Sequence, residues 1–269
     1  MMEIKRLPLE GLKNTRDFAG FPTEDGRHIK PHRLIRSGEL FGAAQSDLTY
    51  LMENIHLKKI LDFRTTKERE EHPDPVLSDV INLHLPVLDE KALGVTREGQ
   101  DGDMMEQLVS YLESPDFSAE NYMAGIYEQI ILGEKAHKCY GRMFDELLSQ
   151  EEGAVLWHCT AGKDRAGIAS ILILSALEVP KEIIEADYFR VNALLKEDNE
   201  RLCDDMEKRL DMQGIRQGLM AMFSVHKEYL DCIYRVIENK YTDMDNYLDE
   251  VLGLNKDKRK MLKDLYLEA

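Results

Sequence analysis

The sequence predicts an α/β fold: a mainly parallel central sheet flanked by helices, followed by a helical C-terminal region. Three observations predict it. Short apolar strand-like runs alternate with helical patterns up to residue 180, the order that builds parallel sheets. Every segment beyond Pro180 fits the helical period. Between them, a loop rich in reactive side chains separates a buried strand pattern from a buried helix pattern. Ligands in such sheets bind beyond the C-terminal ends of strands.

The elements follow in chain order. Residues 18–29 carry Pro22 and the pair Asp25-Gly26 between apolar positions, which predicts a β-hairpin. Residues 46–54 predict a short helix capped by Ser46, and residues 58–63 a strand. Residues 64–71 are charged and polar, and Pro73-Asp74-Pro75 ends any helix formed there. Residues 80–85 alternate apolar and polar, as a strand does. Residues 89–103 hold Gly94, Gly99 and Gly102 amid charges, predicting a mobile loop. Residues 117–150 are helical in pattern with a break near Gly133. Residues 153–157 predict a buried strand and 167–177 a buried helix. Helical periods then cover 181–195, 199–212, 215–223, 225–240, 243–252 and 256–267. Thr242 followed by Asp245 resembles a capping box, and Gly253 is placed as a helix stop.

The chain is expected to form one catalytic domain, residues 1–269, with an α/β core over 1–180. Residues 181–269 form a helical extension packed on the core or over the site. Met206, Met212, Met220 and Met222 in that extension suit either a lid over the substrate or ordinary core filling.

Composition bounds the function. At 269 residues and 43% hydrophobic content, a single α/β domain with a sizeable core is ordinary. The 35 basic and 51 acidic residues leave a net charge of −16. That excludes a nucleic-acid surface, which needs clustered basic residues, and a general attraction to anionic membranes. An anionic substrate must be drawn by local groups against the global field. Cys139, Cys159, Cys203 and Cys232 show neither paired nor metal-ligand spacing, so no disulfide framework and no metal site is expected. No apolar stretch in residues 1–12 is long enough for a signal peptide, and the run 168–177 is too short for an integral membrane segment. A cytoplasmic location is expected, with export lacking a cleaved signal left open.

The chemistry is concentrated in His158-Cys159-Thr160-Ala161-Gly162-Lys163-Asp164-Arg165. A loop between a strand end and a helix start gathers backbone N–H groups, and the helix dipole there favours an anion. The same field favours the thiolate, the nucleophilic form of cysteine. Arg165 supplies a planar fork able to hold two phosphate oxygens at once. Gly162 permits a positive φ. Nucleophile, anion cradle and guanidinium clamp together describe phosphoryl transfer to sulfur followed by hydrolysis.

This loop resembles the signature His-Cys-five residues-Arg of the cysteine-dependent tyrosine phosphatase superfamily. It is most similar to a bacterial branch reading His-Cys-x-Ala-Gly-Lys-Asp-Arg. Asn14-Thr15-Arg16-Asp17-Phe18-Ala19-Gly20, Leu34-Ile35-Arg36-Ser37-Gly38 and Leu61-Asp62-Phe63-Arg64-Thr65 resemble further segments of that branch, as do Tyr247-Leu248 and Leu252-Gly253-Leu254. The resemblance spans nearly the whole chain. It implies a tyrosine-phosphatase-like fold, hydrolysis through a cysteinyl-phosphate, and no cofactor. It also implies a phosphorylated protein as substrate, with tyrosine or dual specificity, or a phosphoinositide. One position departs: the residue after the arginine, usually Ser or Thr, is Ala166. That hydroxyl is held in the family to stabilise the departing cysteine, so the second half-reaction is the one affected.

Roles follow residue by residue. Cys159 is the expected nucleophile and Arg165 the phosphate clamp. Thr160, Ala161, Gly162, Lys163 and Asp164 complete the phosphate-binding loop, and His158 supports the thiolate from behind. Lys163 suits a second phosphate or plain solvation. Asp164 is the favoured general acid, as proposed for phosphoinositide phosphatases with Asp at this place. Asp62 is its rival, or else a partner for Arg64 or Arg16. Asp74 and Asp89 stand behind both, while Arg16, Asp17 and Arg64 are expected to scaffold the site as an ion-pair network. Two rival functions remain: a phospho-binding module with weak turnover, motivated by Ala166, and a sulfur-transfer or arsenate-reducing enzyme, which would need a second cysteine as resolver.

Overall fold

The computed structural model describes residues 7–89, 108–112, 114, 116–212 and 214–269. The expected mobile loop falls outside these beyond Asp89. A five-stranded sheet runs through the core in the order β1 (Arg16–Asp17), β3 (Leu34–Ser37), β6 (Ala154–His158), β4 (Leu57–Asp62), β5 (Ile81–His84). Only β1 pairs antiparallel, and the other pairings are parallel. The mixed α/β architecture with a mostly parallel sheet is thus as expected.

Helices cover both faces, which is why the central strand β6 is a continuous apolar run buried along its length. Its side chains alternate between two cores. Val155 and Trp157 enter a large cluster, while Ala154 and Leu156 enter a smaller one with Leu51 and the N-terminal Leu7, Leu9 and Leu12. On the smaller face lies α1 (Gln45–Glu53); α2 (Thr66–Glu71) follows β4. On the larger face lie α3 (Ala119–Leu132), α4 (Glu134–Leu148) and α5 (Arg165–Ala176). The extension adds α6 (Lys181–Leu194), α7 (Lys196–Leu210), α8 (Arg216–Phe223), α9 (Lys227–Tyr241), the short α10 (Met244–Asn246) and α11 (Lys256–Tyr266). Met206 and Met222 are buried in the large cluster and Met212 and Met220 pack against it, so these methionines fill core.

Several expectations need correction. Strands β1 and β3 were not legible, because β3 carries the fully buried Arg36 in a run of four residues and breaks the apolar pattern. The cap of α1 is not Ser46. Asp47 in the first turn accepts from the amides of Ala44, Glu10 and Gly11 instead, tying the N-terminal segment to the helix. Thr242 does not cap. It ends α9 at φ 77°, and Asp243 accepts from the Asn246 amide at 2.7 Å. Residues 243–252 are not one α-helix, since Tyr247–Val251 widen into a π-turn before Gly253 stops the chain at φ +68°. The last helix ends at Tyr266. Leu267–Glu268 form β7, which pairs antiparallel with β2 (His28–Ile29). The hairpin of residues 18–29 closes through the Pro22–His28 bridge. Among the described residues, no helix is long and apolar enough to cross a membrane.

Candidate active site

β6 ends at His158 and α5 begins at Arg165, so residues 159–164 form the connecting loop. Its backbone is pinned from behind by polar side chains. Arg36 on β3 donates from Nε to the Gly162 carbonyl at 2.9 Å and from Nη2 to the Lys163 carbonyl at 3.1 Å. Asn14 Nδ2 donates to the carbonyls of Ala161 and Gly162 at 3.1 and 2.9 Å. The Glu39 amide donates to the Thr160 carbonyl at 3.0 Å. In a trans peptide the C=O and the following N–H point in opposite directions. Pinning the carbonyls of residues 160–163 therefore turns the amides of residues 161–164 away from the scaffold, the arrangement that binds an anion. Gly162 sits at φ +66°, and a Cβ there would collide with the Ser37 carbonyl, so only glycine fits.

One buried carboxylate holds this scaffold. Asp187 on α6 accepts from Arg16 Nε at 2.6 Å, Arg16 Nη2 at 2.9 Å and Arg36 Nη1 at 3.1 Å. All three side chains are almost fully buried. Burial opposes the Asp187 charge, but the Arg16 and Arg36 guanidiniums outweigh it and hold the carboxyl below its ordinary value. Burial, with Arg16 adjacent, pushes Arg36 down to about 10. The Asp17 carboxylate accepts from the amides of Ala19 at 3.0 Å and His32 at 2.8 Å.

The clamp is organised by a residue that the sequence reading missed. Glu68 closes the capping box of α2, accepting from the Thr65 amide at 2.8 Å while its own amide donates to Thr65 Oγ1. The same carboxylate takes Arg165 end-on, from Nη1 at 2.7 Å and Nη2 at 2.8 Å, and the Thr160 hydroxyl as well. Arg165 Nη1 also donates to the Phe63 carbonyl at 3.3 Å. Burial works against the Glu68 charge, but Arg165 and the Thr160 and Thr65 donors prevail and hold it at about 2. The Thr65-x-x-Glu68 spacing was visible as a capping signal. Its second use was not.

The carboxylates divide clearly. Asp164, inside the loop and buried, accepts on Oδ1 from the Tyr127 hydroxyl at 2.8 Å and lies 3.0 Å from Lys163 Nζ. Lys163 is not solvated. Its ammonium is buried and donates to the carbonyls of Met222 at 2.6 Å and Ser224 at 3.2 Å, where α8 ends. Asp62 faces His158 across the β4–β6 register and is fully buried. It is bidentate with Arg64, Oδ1 to Nε and Oδ2 to Nη2, each at 2.9 Å. Arg64 also binds Asp74 Oδ1 at 2.9 Å and Glu39 Oε2 at 3.1 Å. Asp89 is exposed and pairs with Lys135.

His158 completes that second network, with Nε2 3.0 Å from Asp74 Oδ2 and 3.8 Å from Asp62 Oδ1. Burial disfavours its charged form, but Asp62 and Asp74 overcome this and raise its pKa. Ligand atoms of Asp62, Asp74 and His158 lie within 4.8 Å of one another, close enough to hold a metal ion. The Arg64 guanidinium, however, already donates to both carboxylates, and a dication there would have to displace it. Ala166 is buried, its carbonyl accepting from Trp157 Nε1 and Ser170 Oγ. The remaining thiols, Cys139, Cys203 and Cys232, are free and buried, and burial pushes each pKa up.

Similarity to known proteins agrees with this geometry. A model of the tyrosine phosphatase family matches residues 7–268. The chain is 28% identical over 254 residues to a Cupriavidus necator protein provisionally named a tyrosine-protein phosphatase, covering 93% of this chain and 85% of the relative. It is 26% identical over 270 residues to the triple specificity protein phosphatase PtpB of Mycobacterium tuberculosis, covering 92% and 93%. A tyrosine-protein phosphatase of Nostoc commune is 29% identical over 160 residues, 60% of this chain and 48% of that one. With its loop, its pinned backbone and a family match along almost its whole length, this chain belongs to the tyrosine phosphatase family.

Proposed function

We propose that the protein hydrolyses phosphotyrosine in proteins through a cysteinyl-phosphate on Cys159, with dual specificity within reach of the same site. The observation that carries this is the loop of residues 159–165, whose carbonyls are tied back and whose arginine is clamped by Glu68. In the first step the Cys159 sulfur attacks phosphorus, the S–P bond forms and the P–O bond to the leaving group breaks. The loop amides and Arg165 hold the equatorial oxygens, supplying charge stabilisation without reorganisation. Asp164 gives its proton to the departing oxygen. In the second step water attacks phosphorus, Asp164 takes the water's proton and the S–P bond breaks to return the thiolate.

Asp164 is favoured over Asp62 because Asp62 is spent on Arg64 and Asp164 lies within the loop. Lys163 is turned inward onto Met222 and Ser224, so its ammonium is not presented to a second phosphate. That argues for phosphoprotein over phosphoinositide. The triple specificity named for the Mycobacterium tuberculosis relative supports breadth beyond tyrosine. A cytoplasmic location suits an enzyme that depends on a free thiolate.

The test is hydrolysis of p-nitrophenyl phosphate and a phosphotyrosine peptide by wild type and Cys159→Ser, each with and without a chelator. Activity abolished in the serine variant and untouched by the chelator is expected, with competitive inhibition by vanadate. Turnover surviving in Cys159→Ser would overturn the cysteine mechanism.

A further inference from the structure

We infer that Tyr127 is a positioning residue for the proton-transfer step, fixing which oxygen of Asp164 carries the proton. This rests on the reading of Asp164 as the general acid. Tyr127 lies on α3, remote in sequence from the loop, and its hydroxyl donates to Asp164 Oδ1 at 2.8 Å. Lys163 Nζ lies 3.0 Å from the same oxygen. Both of these contacts fall on Oδ1.

An oxygen that already accepts from a phenol and lies 3.0 Å from an ammonium is a poor place for a proton. The acid form of Asp164 therefore carries its hydrogen on Oδ2, and Oδ2–H is the donor to the leaving oxygen. After transfer the carboxylate keeps both contacts on Oδ1, and Oδ2 is the base that takes the proton from the attacking water. No proton leaves Tyr127 in this scheme. Its burial, and the proximity of Asp164 and Tyr188, push its pKa well above the ordinary phenol value, so the hydroxyl stays a donor.

The surroundings fit an orienting role. Tyr127 is fully buried, with its ring 5.5 Å from that of Tyr229. The Tyr188 hydroxyl on α6 donates to the Tyr127 oxygen at 3.3 Å. A phenol that both accepts from Tyr188 and donates to Asp164 has its single hydrogen committed to Asp164. The acid is thus held between α3, through Tyr127, and the end of α8, through Lys163.

The experiment compares Tyr127→Phe, Asp164→Asn and wild type on p-nitrophenyl phosphate, whose leaving group departs without a proton, and on phosphotyrosine, whose leaving group needs one. Tyr127→Phe keeps the packed ring and removes only the hydroxyl. Asp164→Asn is expected to lose ~10²-fold or more on phosphotyrosine relative to p-nitrophenyl phosphate, the usual size of acid catalysis. Tyr127→Phe should show the same selectivity at about 10-fold, because the acid remains but is misdirected. Inhibition by inorganic phosphate should be unchanged in Tyr127→Phe, which separates orientation of the acid from damage to the loop. If Asp164→Asn shows the selectivity and Tyr127→Phe loses rate equally on both substrates, or not at all, Tyr127 does not position the acid. If Asp164→Asn itself shows no selectivity, the acid assignment fails and this inference with it.

Discussion

Replacing Glu68 by glutamine tests the clamp most directly. The substitution keeps the shape of the side chain and removes the charge that faces Arg165 end-on. In the folded protein Glu68 is held at about 2, against an ordinary value of 4.5. At about 1.4 kcal/mol for each factor of ten in proton affinity, the site's preference for the carboxylate is worth about 3 kcal/mol at neutral pH. A second route gives a similar size: removing one partner of a buried ion pair strands the other and costs about 3–5 kcal/mol. The sign is that of a depressed carboxyl. Its stabilisation is complete above 4.5 and is lost as pH falls towards about 2. Urea unfolding of wild type and Glu68→Gln should therefore show a gap of about 3 kcal/mol at neutral pH that narrows steadily under acid conditions. Activity should fall further than stability implies, because an arginine misplaced by an ångström costs about 10²-fold. A gap below about 1 kcal/mol, the level of an exposed pair, or a gap that does not change with pH, would refute the reasoning.

Two further predictions concern the loop's support and its second step. Asp187→Asn leaves Arg16 and Arg36 buried together with their shared counter-charge gone, so stability should drop by about 3–5 kcal/mol; a melting temperature within a degree or two of wild type would show that Asn14 and the loop carbonyls suffice. Ala166 places no hydroxyl beside the sulfur, so rapid mixing should show a burst of phenol release, and Ala166→Ser should raise the steady rate. Absence of the burst together with no gain in the serine variant would remove phosphoenzyme breakdown as the slow step.

Much of the molecule is determined by local pattern. The apolar run of β6, the buried helix α5 and the chemically dense loop between them are contiguous, so strand, turn, nucleophile and arginine are all legible from residues 153–177. Helical periods beyond Pro180 are likewise local. What lies between distant segments is decided only by tertiary structure. Arg36 interrupts a short strand and looks like a reason to reject it, yet it is buried because the loop's carbonyls and Asp187 satisfy it across the sheet. Glu68 is visible as a helix cap, but its grip on Arg165 depends on α2 folding against the loop 97 residues away. In the sequence Asp164 is favoured by its place within the loop, with Asp62 at a strand end as its rival. Packing separates them, by setting Arg64 on one and Tyr127 and Lys163 on the other. Lys163 shows the same limit. As a letter in a loop it suggests a solvent-facing cation, whereas the end of α8 offers two carbonyls that draw it inside. A buried charge needs partners, and where those partners come from is a property of the fold, not of the neighbouring residues.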